Sequence, residues 1–175
     1  MVFDTKFFVE RSMNNWPDVK HLFATDDGSL PDIYIRNISH DQTIEIYDWL
    51  MKRCKITGDA RVWSIEKKQE VLICDLIDPA EAVIDEKVEA FMHGLVELRV
   101  DSIELPRLAV TVSKEGISFD YRMGAEWTER AVLALFKLLH QIHLLAPNAR
   151  IFQTDEGYYS QPNHEFSNAF KSYIA

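Results

Sequence analysis

Glycine, proline and cysteine are all sparse in this chain, with six, six and two of them among 175 residues. So few glycines leave little from which to build a loop that approaches a phosphate closely. Neither a G-x-S-x-G elbow nor an H-E-x-x-H helix is present. Two cysteines exclude a disulfide framework. Cys54 falls on an apolar helix face and Cys74 in an apolar strand, so both read as small buried thiols of a cytosolic protein. Basic residues are in deficit as well, since 19 lysines and arginines face 28 acids for a net charge of −9 and a pI near 5.1. Nucleic-acid backbones and anionic membrane surfaces are polyanions, and both are disfavoured as partners. Nothing approaches the roughly 20 consecutive apolar residues of a membrane span. The opening MVFDTKFFVERSMNN mixes acids and bases and holds no apolar run of signal-peptide length, so the expected location is the cytoplasm.

What the chain does have is apolar mass: 47% of it is hydrophobic and 11% aromatic. That is enough for one domain with a substantial core, taken here as 1–175 with 1–30 as a loosely structured N-terminal segment. The organising stretch is 117–152, read as strand, turn, long apolar helix, loop and strand. Thr128 is placed to cap the helix and Trp127 to staple it against Val132. Ala131, Val132, Leu135, Leu138, Leu139 and Ile142 recur at three- and four-residue spacing, and Ala134, Phe136, Leu144 and Leu145 widen the arc. A helix so apolar needs cover on two sides, from a sheet and from another helix or a partner chain. Ala146, Pro147 and Asn148 end it.

Taken in order, residues 6–9 form a short strand and the segment around Trp16 and Pro17 is turn-rich. A strand at 33–36 leads through a Ser39/Gln42 capping box into a helix whose face is Ile44, Tyr47, Leu50, Met51 and Cys54. Residues 60–65 and 70–74 make a hairpin. Asp78, Pro79 and Glu81 mark the start of a helix with Ile84, Val88, Phe91, Met92 and Leu95 on its buried face. Its end near Gly94 is open, because 95–100 also reads as a strand. Residues 108–112 and 117–121 form the clearest hairpin, 151–154 a strand, and 165–173 a closing helix. The stretches beginning at 33 and at 117 share a strand-helix-strand order and end on Asp59-Ala60-Arg61-Val62-Trp63 and Asn148-Ala149-Arg150-Ile151-Phe152, as a duplicated unit would. The fold class that follows is α+β, a largely antiparallel sheet packed by helices.

The chemistry is thin. His140 and His143 lie three apart on one helix, with His93 or His164 as a third candidate, but no carboxylate accompanies them at a metal-ligand spacing. Histidines in such a stripe are more often hydrogen-bonded or solvated, so no metal and no cofactor is expected. Neither thiol has the exposed, electropositive setting a nucleophile needs. No catalytic residue is assigned, and the chain reads as a binding protein rather than an enzyme.

Charge distribution is the most informative functional feature. Between positions 75 and 104 stand nine acids against Lys87 and Arg99, a net −7 of the chain's −9. Helical spacing aligns Glu81, Asp85 and Glu89, with Glu86 beside them, into an acidic ridge. A solvated face that aids solubility is its plainer use. The sharper reading is a small cytosolic inhibitor or immunity-like protein that docks a basic partner protein, such as a cationic toxin or nuclease. The alternative is a small-molecule-binding domain or enzyme with a pocket at the 120–127 loop, lined by Tyr121, Arg122 and Trp127. In the plainer view of that loop Trp127 staples the helix and Arg122 pairs with Asp120 or Glu126. Burial of the long helix on a second copy of the chain is compatible with either.

Overall fold

The computed structural model describes residues 13–175, and the strand expected at 6–9 lies outside the described residues. In chain order the elements are α1 (Trp16–Val19), β1 (Asp32–Arg36), α2 (His40–Met51), β2 (Lys55–Ile56), β3 (Arg61–Ser64), β4 (Gln69–Leu72), α3 (Pro79–Ile84), β5 (Phe91–Val96), β6 (Arg99–Val100), β7 (Ile103–Glu104), β8 (Leu108–Ser113), β9 (Gly116–Tyr121), α4 (Glu129–Leu145), β10 (Arg150–Thr154) and α5 (His164–Ile174). Six strands form one antiparallel sheet in the order β10-β1-β9-β8-β5-β2, and β3–β4 and β6–β7 are separate hairpins. This is an α+β fold.

Alternation along the strands separates two faces. Ile33 and Ile35 of β1, Val110 and Val112 of β8, and Phe91 and Leu95 of β5 are buried on one face, where α2, α3 and α5 meet β9, β8 and β10. Asp32, Tyr34 and Arg36 of β1 turn to the other face and are only half-buried. At the tight β8–β9 turn Gly116 sits at φ +126°, and a Cβ there would come 2.5 Å from the Ile35 carbonyl oxygen. Only glycine relieves both constraints.

The long helix forms as its spacing dictates. Thr128 Oγ1 accepts from the Ala131 amide at 3.2 Å, and Ala131, Val132, Ala134, Leu135, Phe136, Leu138, Leu139 and Ile142 are buried. Phe136 meets Phe166, Phe170 and Tyr173 of α5 at 5.4, 5.5 and 5.9 Å, and β6 and β7 also pack on α4. The chain's own elements thus supply its second cover, each large apolar side chain contributing about 1.5–3 kcal/mol on burial. The N-terminal part is more ordered than its turn-rich composition implies. A one-turn 3₁₀ segment follows α1, and Val19, Leu22 and Phe23 enter the core, with Phe23 stacked on Tyr121 at 5.0 Å and against Trp127 at 5.5 Å.

Three sequence expectations need correction. The helix from Pro79 stops at Ile84, and Asp78 makes no side-chain cap bond. Glu86 then takes φ +58°, Val88 bridges to Ser64, and residues 91–96 pair with β8. Phe91, His93 and Leu95 alternate with exposed Met92, so a period of two prevails over the helical spacing read from Val88, Phe91 and Leu95. Cys74 is exposed, because the chain leaves β4 in a 3₁₀ turn at Ile73–Asp75. The two strand-helix-strand stretches part company at their third member: β10 returns beside β1 in the main sheet, whereas β3 pairs with β4.

Candidate functional site

The early end of α3 changes the geometry of the acids read from sequence. Glu81 lies in its first turn, Asp85 is its C-cap, and Glu86 and Glu89 lie beyond it, so no continuous helical ridge joins them. Lysines of the same chain engage two of the four. Asp85 pairs with Lys87 at 3.0 Å and Glu86 with Lys114 at 2.6 Å; the Lys114 ammonium holds the Glu86 carboxyl below its ordinary range. Farther along, Glu97 meets Lys55 at 2.8 Å, Glu104 meets Arg99 at 3.1 Å, and Asp101 meets Lys137. Exposed pairs of this kind contribute about 0–1 kcal/mol each, but they offset much of the local negative charge.

The 120–127 loop is built as core. Tyr121 and Trp127 are each 1% exposed; the Tyr121 hydroxyl donates to the Leu22 carbonyl at 2.7 Å and the Trp127 indole to the Arg122 carbonyl at 2.9 Å. Burial drives the Tyr121 pKa upward. Arg122 is solvent-exposed, with Asp26 at 3.8 Å. Tyr121, Trp127 and Arg122 hold the loop to the N-terminal segment, and the rings of Tyr121 and Trp127 are spent on the core.

A cleft of about 450 Å³ opens elsewhere, between α2 and the end of α4. Ser39 starts α2 with a reciprocal capping box: its hydroxyl accepts from the Gln42 amide at 3.1 Å, and the Gln42 side-chain oxygen accepts from the Ser39 amide at 2.9 Å. Ile46, Tyr47 and Leu50 bury the inner face. The outer face carries Asp41, Glu45 and Asp48 at helical spacing, and these acids rim the cleft with Lys52. Its apolar floor is Ile44, Trp49 and Leu145. Arg53 lies over the Trp49 ring at 4.1 Å and donates to the Trp49 carbonyl at 2.8 Å. Burial, and then the neighbouring Asp78 charge, raise the Asp48 carboxyl above its ordinary pKa. Ile77, next to Asp78, is 97% exposed, and Leu144, beside Leu145, is 66% exposed. Among the described residues no ion pair within 4 Å engages Asp41, Glu45, Asp48 or Asp78. Sequence reasoning passed over this surface, although acids at positions 41, 45 and 48 around a tryptophan were visible in the helical spacing.

The remaining reactive side chains have structural surroundings. His93 is buried; its Nδ1 lies 3.1 Å from the Gly94 carbonyl and its Nε2 2.9 Å from the Tyr47 hydroxyl. A carbonyl only accepts, so Nδ1 carries the proton and Nε2 accepts from the tyrosine. Burial lowers the His93 pKa and keeps the ring neutral. His140 packs edge-on against Tyr173. No three His, Cys, Asp or Glu side chains among the described residues are arranged to hold a metal ion. The Cys54 Sγ–H donates to the Leu50 carbonyl at 3.3 Å, and burial pushes the thiol up to about 11. No helix among the described residues is long and apolar enough to cross a membrane.

Comparison with known protein families, with curated proteins and with solved structures returned no significant match.

Proposed function

We propose that this protein is a non-enzymatic binding domain that docks a basic partner protein through an acidic helix face, in the manner of an inhibitor or immunity protein. The observation that carries this reading is the α2–α4 cleft, where Asp41, Glu45 and Asp48 stand without ion pairs around an apolar floor containing Trp49. Three acids against Lys52 leave a surplus of negative charge around a partly desolvated apolar centre, which suits a partner that presents lysine or arginine beside an apolar anchor. Glu81, Asp85, Glu86 and Glu89 join the docking face as its periphery: Asp85 and Glu86 are neutralised by Lys87 and Lys114, so their contribution is mainly to the approach of the partner.

Two charge-reversal triples divide the surface. In affinity capture from the native host at low salt, with elution by salt, Asp41→Lys/Glu45→Lys/Asp48→Lys loses the captured basic protein, its affinity falling by about a hundredfold or more. Glu81→Lys/Asp85→Lys/Glu89→Lys retains it with a slower association rate. Loss in the second triple alone moves the site to the α3 edge, and retention in both refutes acidic docking.

A further inference from the structure

The outward face of the sheet carries a different cluster of acids. Asp32 opens β1, with Asp120 of β9 directly across on one side and Thr154 of β10 on the other. Residues directly opposite in antiparallel strands place their side chains on one face, so two carboxyls and a hydroxyl converge at the strand ends. Tyr34, two residues along, shares that face and stacks on Phe152 at 5.3 Å, with the Arg36 guanidinium 4.6 Å over its ring and within electrostatic reach of Asp32. The loop after β10 brings in Glu156, whose carboxylate accepts from the Leu30 amide at 2.9 Å, and places Tyr159 within electrostatic reach of Tyr34. Among the described residues no ion pair within 4 Å engages Asp32, Asp120 or Glu156.

Burial, and then the Asp120 carboxyl opposite, raise the Asp32 pKa from 3.8 to about 7; Glu156 acts in the same direction and the Tyr34 hydroxyl opposes it. Asp32 therefore keeps its proton up to about neutrality. Thr154 is an independent observation. Its side chain is fully buried and its hydroxyl has no hydrogen-bond partner, although buried hydroxyls are ordinarily paired. By register it lies directly beside half-buried Asp32.

We propose that this strand-end cluster binds an ammonium group, of a small amine or of a lysine side chain, between Asp32 and Asp120. An ammonium carries three donors and no acceptor, and the two carboxylates and the Thr154 oxygen are three acceptors on one face. A metal ion is the poorer fit, since no three His, Cys, Asp or Glu side chains among the described residues are arranged for one. The site stands apart from the docking cleft and does not rest on it. An ammonium binds the ionised Asp32 carboxylate, so binding strengthens as pH rises through about 7.

The full chain is titrated with methylammonium and with Nα-acetyl-lysine amide while the carboxyl-carbon NMR shifts of Asp32 and Asp120 are followed. At about pH 8 the amines shift these carbons saturably, and at about pH 5.5 binding is at least about tenfold weaker. Asp120→Asn and Thr154→Val, with folding checked by their amide spectra, each weaken binding by about tenfold or more. A response to both amines supports a general ammonium site, and one to the lysine amide alone supports a lysine site. Silence toward both amines at the higher pH overturns the proposal. So does an unchanged response in Asp120→Asn, or a stronger response to calcium than to either amine.

Discussion

Asp32 stores protonation energy in the fold. Its carboxyl pKa rises from 3.8 to about 7 on folding, so between these values the folded chain binds more protons than the unfolded one. The associated stability is fully present below the unfolded value and is lost as pH rises through about 7. Taken whole, such a shift corresponds to ~4 kcal/mol, but solvent reaches Asp32 and screening leaves about 1–2 kcal/mol. His93 acts with the opposite sign: its lowered pKa means that the unfolded chain takes up the proton first as pH falls. Comparing variant with parent isolates the carboxyl. Asp32→Asn, which cannot ionise, flattens the decline in unfolding free energy between about pH 5 and pH 8 by about 1–2 kcal/mol in urea titrations. Identical declines in the two proteins refute the pairing. None of this was legible in the sequence. Asp32 and Asp120 lie on distant strands, and only the sheet register makes them neighbours. For Tyr121 and Trp127 the sequence offered a stapled helix start as the plainer reading and a pocket as the alternative, and it hid Phe23, which completes their cluster from a stretch dominated by turn residues.

At the scale of elements, legibility followed the strength of the local signal. The α2 capping box, the β8–β9 hairpin and the apolar arc of α4 could be read directly, because cap chemistry, strict alternation and helical spacing each act within a few residues. Segment 79–96 could not. Its apolar positions satisfy both periods, and the pairing of β5 with β8, a long-range contact, decides between them. The same decision dissolved the acidic ridge, since the alignment of Glu81, Asp85 and Glu89 existed only on a helix of full length. The start of α2 matters more, because that helix carries both the core residues Ile46, Tyr47 and Leu50 and the rim of the cleft. Ser39→Ala removes the acceptor for the Gln42 amide and is expected to cost ~1 kcal/mol, read as a lower urea midpoint with an unchanged slope. An unchanged midpoint means that tertiary packing alone fixes this helix end.

Over the whole molecule the excess of negative charge sets the balance. A net −9 on 175 residues repels itself, and each surface ion pair along the 85–104 stretch returns about 0–1 kcal/mol. Self-repulsion should therefore outweigh local pairing at low ionic strength, where screening extends over roughly 30 Å at 0.01 M salt against 10 Å at 0.1 M. Under the proposed function, folding and docking then respond to salt with opposite signs. Added sodium chloride relieves repulsion within the chain and raises its stability. It also weakens the field of the unpaired acids on α2, slowing the capture of a cationic partner. Urea midpoints measured between about 0.01 M and 0.2 M salt should rise for the parent protein. Asp41→Lys/Glu45→Lys/Asp48→Lys adds six positive units to the chain, bringing it to about −3, and should gain less from the same salt. A parent protein that loses stability on adding salt would show that its local ion pairs, rather than its net charge, govern the fold.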